Sequence, residues 1–492
     1  MSNYLGGPLP TKDYATSFRF KSVALYKVGN DYGKPYVNLH DGQNGMLVQF
    51  QYNEDIMWPS YGGTMTIVDN EENLISSMPI QGFERVVVEI DDATGKACYV
   101  YNFRVWTIRN RVSKERKQIY SLGLISEEGL INEGIRINKI IEGNTSTQVQ
   151  KILNDYLNVN SLQVDTEPSA TSIKLLPTKK SPYSVIRSLL PRTISEKTGS
   201  AMKVKSSGAA SSTTNSSKSD VNPQTAEKAT GTAGYLFFQT RRGFTFRSID
   251  SLVSSTDEFN GSPPISDIFY YQAARKGDPS LFRIQEVAFT KEIDILKKMR
   301  QGAYSSICCY FNINTGEYEE RVYSLKDMWK DMAHLGSQTK LPFGQEQLSK
   351  YPSRVMSTVI NHENWYGGTK VASNEDKHGG TGENSFPDFQ KQYLSQGIAR
   401  AGILFNQQLT ISLTGHLELC AGDKIEIRIP DQMSESKKEK NLPDIWDPEH
   451  SGTYLIKNLN HQFNTGSNPK CYTVLELVRD SYGIKEQESN IE

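Results

Sequence analysis

The chain has 492 residues, enough for about three or four domains if each takes roughly 100–200 residues. Its 55 Lys and Arg balance 56 Asp and Glu, which excludes a protein that coats nucleic acid through net charge but leaves room for a channel with a local field. The 25 tyrosines and 19 phenylalanines favour β-rich structure and aromatic interfaces.

The first residues, Met1-Ser-Asn-Tyr-Leu-Gly-Gly-Pro8, lack a basic stretch followed by an apolar core, so no signal peptide is expected and the chain is read as made in a cytosol. No apolar run approaches the roughly 20 residues of a membrane helix, so no membrane insertion is expected. Residues 14–125 read as an antiparallel β domain. Phe18 and Phe20 alternate with Arg19 and Lys21, and Val86, Val88 and Ile90 share a face. Tyr99–Val112 and Arg116–Leu124 form a hairpin around Ser113–Glu115, and Gly62–Gly63, Asp69–Asn70 and Asp91–Gly95 mark turns.

Beyond residue 125 the period changes. Val149, Ile152, Leu153, Tyr156 and Leu157 predict an amphipathic helix capped by Ser146 or Thr145. Ser181-Pro182 opens a second helix with the stripe Val185, Ile186, Leu189 and Leu190, and Pro191 closes it. From Ser195 to Ala233 the chain is rich in Ser, Thr, Ala and Lys and holds no aromatic residue, so it reads as a flexible loop. Strand pattern resumes at Gly234–Gly243 and continues into Phe244–Ile249.

Leu281–Arg300 reads as strand then helix, and Ser305–Asn312 with Glu317–Ser324 as a hairpin turning at Asn314–Gly316. Helices are expected at Leu325–Leu335 and Phe389–Leu404, the latter capped by Ser385 with Pro387 in its first turn. Residues 364–386 are irregular, and Lys437–Asn441 is a charged, solvated insertion. The last region is the clearest: Leu409, Ile411 and Leu413, then Ile425, Ile427 and Ile429, alternate with polar residues across the Gly422–Asp423 turn. Lys424, Glu426 and Arg428 are expected to point outward, and two further strands lie in Gly452–His461 and Lys470–Arg479.

Candidate chemistry is sparse. Cys98, Cys308, Cys309, Cys420 and Cys471 lack CxxC spacing and are read as small buried hydrophobes in a reducing compartment. His362, Glu363, Asp376 and His378 match no standard ligand motif, and His416, His450 and His461 are scattered among strand ends. The pairs Glu71–Glu72 and Glu127–Glu128 diverge along one segment, whereas glycoside hydrolysis needs carboxyls opposed across a cleft. Gly243 after Arg241–Arg242 belongs to no phosphate-binding loop. Arg104, Arg109, Arg111, Lys114, Arg116 and Lys117 form a basic run that is either a solvated strand face or a surface facing DNA. No catalytic, cofactor-binding or metal-binding residue is assigned, and no cofactor.

Three passages carry a resemblance: Ser181–Leu190 followed by Tyr235–Leu252; Gly415–Pro430; and Ser451–His461 leading into Tyr472–Ser481. In this order they resemble the baseplate hub proteins of contractile-tailed phages, which join the tail tube to the central spike. The resemblance implies a mainly β fold with two tube-like antiparallel β-barrel domains and smaller accessory α+β parts. Mapped here, these are 1–125 as first barrel, 126–280 as accessory α+β domain with the flexible loop 195–233, and 281–325 plus 405–482 as a discontinuous second barrel. Residues 326–404 become a helical and loop accessory region, and 483–492 a tail. It further implies a homotrimer whose six barrels form a pseudo-sixfold ring, so the two barrels should be alike. The implied partners are the tail tube protein, a separate central spike protein, the tape measure protein and baseplate wedge proteins, with phage DNA as passing cargo. The implied setting is the virion tail, assembled in the host bacterial cytoplasm. The family transfers no active site; a tail-tip cell-wall hydrolase is the alternative function, and a single tube subunit a third reading that two barrel-like regions disfavour.

Overall fold

The computed structural model describes residues 18–482, except 196–231, 255–263, 272–280, 337–351, 361–385, 431–445 and some single or short turn positions. The protein is mainly β. Its first strands are β1 (Phe18–Tyr26), β2 (Val37–Asn38), β3 (Leu47–Asp55), β4 (Gly62–Asp69), β5 (Arg85–Asp92), β6 (Cys98–Lys114) and β7 (Lys117–Ile125). They are hydrogen-bonded in the order β3-β4-β7-β6-β5-β1-β2, antiparallel throughout. The sheet curls back on itself: Leu39, just past β2, accepts the backbone N–H groups of Met46 and Leu47 at 3.0 Å each, at the start of β3. The expected alternation holds, with Phe20, Val86, Val88 and Ile90 buried. Gly62 and Gly63 form no turn. They open β4, because strand β3 runs so close that a Cβ on Gly63 would lie 2.5 Å from the Gln51 carbonyl oxygen.

The next region contains α1 (Glu127–Gly134), β8 (Ile141–Asn144), α2 (Thr145–Leu157), β9 (Val164–Thr166), β10 (Ser172–Leu175), α3 (Pro182–Leu189), β11 (Tyr235–Thr240), β12 (Gly243–Ser248) and α4 (Ile249–Val253). Val149, Ile152, Leu153 and Leu157 of α2 pack with Val185, Ile186 and Leu189 of α3 and with Phe237, Phe244 and Phe246. The cap of α2 is Asn144, one residue before those expected: its Oδ1 accepts the Ser146 N–H at 3.1 Å, while Thr145 is turned inward to Ser169 and Thr171. Most of the expected flexible tract lies outside the described residues, but its ends meet, with the Ser195 N–H donating to the Thr232 carbonyl at 3.0 Å.

The remaining elements are β13 (Ile265–Tyr271), β14 (Arg283–Lys291), α5 (Ile295–Gln301), β15 (Ser305–Asn312), β16 (Tyr318–Ser324), α6 (Leu325–Met328), β17 (Arg354–Ile360), α7 (Phe386–Leu404), β18 (Gln407–Thr414), β19 (Lys424–Arg428), β20 (Gly452–Asn464) and β21 (Lys470–Arg479). Strands β19-β13-β14-β18-β21-β20 close into a six-stranded barrel through the β19–β20 pairing. Its membership corrects the expected second barrel twice. The β15–β16 hairpin is not part of it but forms a separate sheet with β17, because its buried Cys308 and Tyr310 pack towards α7. β13, expected in the accessory domain, takes the vacant place, burying Phe269 and Tyr270. β13 runs parallel to both neighbours, so this barrel is not purely antiparallel and differs in pairing from the first half. The helix expected through Leu335 stops at Met328.

Ile425, Ile427 and Ile429 face the barrel core as expected. Lys424 and Arg428 are a correction: they point away from the core yet are only 2% and 3% exposed. The Lys424 ammonium donates to the Ser254 carbonyl, and Arg428 pairs with the half-buried Glu426 at 3.0 Å. Ser254, the residue after α4, meets this face at Lys424. Strand β20 joins the halves. It pairs with β19 near its start, with β21 over most of its length, and with β3 from Asn458 to Asn464. The two barrels share one hydrophobic core, in which the rings of Phe50 and Phe463 stack at 5.6 Å.

Candidate functional site

A dense polar construction lies where the β11–β12 turn docks between the barrels. Two aromatic strands bring Arg241 and Arg242 to their tip, and charged tips at a hairpin turn can reach neighbours on either side. The Glu54 carboxylate accepts three hydrogen bonds: from the Tyr52 hydroxyl at 2.5 Å, the Arg241 N–H at 2.6 Å and the Ala421 N–H at 2.7 Å. Burial raises the Glu54 pKa and these donors oppose it. The Arg241 guanidinium lies 4.6 Å over the Tyr99 ring and donates to the Leu417 carbonyl at 3.2 Å. Arg242 grips Asp423 through two bonds of 2.7 and 3.0 Å. Asp423 follows Gly422, whose φ of +88° and closeness to the Phe238 ring suit only glycine. One turn thus holds the first barrel at Glu54 and the second at Leu417 and Asp423.

A second polar knot ties the accessory elements to the end of β21. Arg400 on α7 and Asp480 are fully buried; the guanidinium reaches Asp250 Oδ1 at 2.8 Å and Asp480 Oδ2 at 2.7 Å. Burial would raise the Asp480 pKa, but Arg400 and His334 hold it well below the carboxylate range. His334 Nδ1 lies 2.8 Å from Asp480 Oδ2, its Nε2 lies 2.7 Å from the Trp329 carbonyl, and its ring stacks on Trp329 at 3.5 Å. Removing one member of such a buried group leaves an uncompensated charge, at a cost of about 3–5 kcal/mol.

Neither knot was anticipated from sequence. Arg241, Arg242, Glu54 and Asp423 were legible only as a charged turn amid aromatic strands, and Arg400, Asp250 and Asp480 lie far apart in the chain. Among the described residues, those weighed for chemistry do not converge. His362, Glu363, Asp376, His378, Glu71 and Glu72 lie outside the described residues. Glu127 pairs with Arg104 at 2.6 Å, and Glu128 accepts from Gln239 Nε2 at 2.9 Å. His416 pairs with Asp267 at 3.2 Å, His450 with Asp447 at 2.5 Å, and His461 with Thr473 Oγ1 at 2.9 Å. Cys308, Cys420 and Cys471 are buried, whereas Cys98 is exposed and Cys309 half-buried, so the buried-hydrophobe reading fits three of the five. The basic run divides: Arg104 is engaged by Glu127, Arg109 lies 4.8 Å over the Trp106 ring, and Arg111 donates to Gln118. No described helix is long and apolar enough to cross a membrane.

No protein-family model and no curated sequence matches the chain. Solved structures do resemble it. The tail protein from Neisseria meningitidis MC58 has 10% identity over 93% of this chain and 96% of that one, with a TM-score of 0.49. The prophage MuSo2 43 kDa tail protein from Shewanella oneidensis has 10% identity over 95% and 100%, with a TM-score of 0.47. The prophage tail protein gp18 from Listeria monocytogenes has 9% identity over 93% and 94%, with a TM-score of 0.42. The structures this mainly β chain resembles include phage and prophage tail proteins.

Proposed function

We propose that this chain is a structural subunit of a phage-type contractile tail, a baseplate hub that joins a hexameric tail tube to a trimeric central spike. The observation that carries this reading is the fusion of two barrel-like halves in one sheet of 13 strands over one core. A threefold ring that meets a sixfold tube needs two such surfaces from each subunit, fixed relative to each other. The shared strand β20 and the Arg241–Arg242 turn supply that fixation. In this reading the protein is a homotrimer in the virion, neighboured by tube, spike, tape measure and wedge proteins, with DNA passing through its ring. It is a connector and not an enzyme. Its division is a first barrel to residue 125, a second from β13, β14 and β18–β21, and accessory regions between.

The test is the symmetry of purified particles by electron microscopy together with mass in solution. A threefold ring with six peripheral lobes is the expected result. A monomer that turns over peptidoglycan would overturn the reading in favour of a cell-wall hydrolase.

A further inference from the structure

Strand β6 outruns its neighbour: it pairs with β5 only from Cys98 to Arg104, whereas β7 follows it as far as Lys114. On β7, Tyr120 and Leu122 are buried in the core, so Lys117, Ile119 and Ser121 between and beside them lie on the outer face. Val112 stands opposite Ile119 and Arg109 opposite Ser121, and therefore share that face. The Trp106 ring joins them: a Cβ on Gly123 would lie 3.0 Å from its Nε1, and the Arg109 guanidinium sits 4.8 Å over it. Trp106, Val112 and Ile119 are 50%, 60% and 45% exposed, and three large apolar side chains on one face differ from the scattered ones of an ordinary surface. Cations surround them. Arg109, Arg111 and Lys117 are exposed and form no ion pair among the described residues, and Arg111 donates to the neutral Gln118 at 3.0 and 3.2 Å. From Val105 to Ile125 the chain has five cations against one acid, Glu115. Asp69, across β4 from Gln118, is 2% exposed and takes the Leu74 N–H at 2.6 Å, pairing with none of these cations.

We infer that this outer face of the β6–β7 hairpin docks a protein surface that is acidic around an apolar centre. Charge complementarity commits the partner's sign: cations without an acid of their own draw carboxylates and repel their like. Trp and Arg are also the residue types that most often anchor interfaces. The Val112–Ile119 pair gains by burial against apolar atoms, which a phosphate backbone does not offer, so a protein fits this face better than nucleic acid. The contact is made by side chains and not by an added strand, because a bulge with Asn110 at φ +55° interrupts the open edge of β6. The inference stands independently of the hub reading.

Fluorescence anisotropy of the full chain at neutral pH and physiological salt, with a labelled octapeptide of alternating glutamate and valine, tests this. Saturable binding is expected. It should weaken about tenfold or more when Arg109→Gln, Arg111→Gln and Lys117→Gln are combined, and likewise when Val112→Ser is combined with Ile119→Ser. All five side chains are exposed, so both variants should fold. Lys139→Gln, Lys151→Gln and Lys180→Gln together remove the same charge from exposed positions elsewhere and should change nothing. An alternating lysine–valine peptide should not bind, and a glutamate–serine peptide should bind about tenfold or more weakly. A DNA duplex of about 20 base pairs should bind more weakly than the glutamate–valine peptide. Absence of saturable binding, full binding by the folded three-cation variant, an equal loss with the three control substitutions, or equal binding of either comparison peptide would each overturn the assignment. Tighter binding of the duplex would overturn it in favour of nucleic acid.

Discussion

His461 is 1% exposed and rests its Nδ1 on Thr473, its ring parallel to Tyr52 in the seam between the barrels. Burial first, then the fields of Arg241 and His416, pushes its pKa from 6.5 down to about 3. Between those values the unfolded chain takes up a proton that the native chain refuses. Stability contributed by the neutral ring is therefore full above pH 6.5 and falls as the pH drops towards 3, by up to roughly 1.4 kcal/mol per pH unit. Urea unfolding at pH 7 and pH 5 should show this loss, and His461→Gln should reduce it; identical slopes in both chains would refute it. A neighbouring strand gives a second test. Ile427 is fully buried, so Ile427→Asp sets a charge in the core and should abolish folding and with it any assembly. Glu426→Ala, harmless on an open face, here takes a partner from the buried Arg428 and should cost about 1–3 kcal/mol in denaturant titrations.

Elements meet at distances that leave little slack. Gly63→Ala would drive a Cβ into the Gln51 carbonyl and should destabilise the chain by about 1–3 kcal/mol, whereas Gly134→Ala, which meets nothing within 4 Å, should stay within about 0.5 kcal/mol. Thermal midpoints of the two variants compare them directly; equal values would mean that β3 and β4 can separate. The same pair shows what sequence conceals. A glycine pair reads as a turn because close backbone approach depends on a neighbouring strand, and nothing local encodes it. Periodicity did reveal the elements whose partners lie on one face: the α2 and α3 stripes, the β5 alternation and Ile425–Ile429. It could not reveal which sheet a hairpin joins. β15–β16 has strand character in either setting, and only the seating of Cys308 and Tyr310 towards α7 decides it. Asn144 escaped notice because Thr145 and Ser146 beside it are equally good caps by type. The polar knots were invisible, since Arg400, Asp250 and Asp480 are neighbours only after folding.

At the scale of the whole molecule, a core that runs from Phe20 and Phe50 through Phe463 to Leu475 gives the two barrels no separate interior. They should therefore unfold together: scanning calorimetry should show one transition covering both barrels, and two resolved barrel transitions would contradict the shared core. Asn460 lies mid-strand in β20, opposite both Val474 and Asn53. Asn460→Pro removes a donor there and should lower that single midpoint sharply, consistent with a penalty of about 3 kcal/mol or more. The position of β20 also has a mechanical meaning. Its register with β3 runs from Asn458–Asp55 to Asn464–Gln49, a row of backbone bonds lying across the strand axis. A pull along the strands loads that whole row at once in shear instead of peeling it bond by bond. Torque applied to one barrel therefore reaches the other through the backbone, and along the β3–β20 seam the pair turns as one coupling.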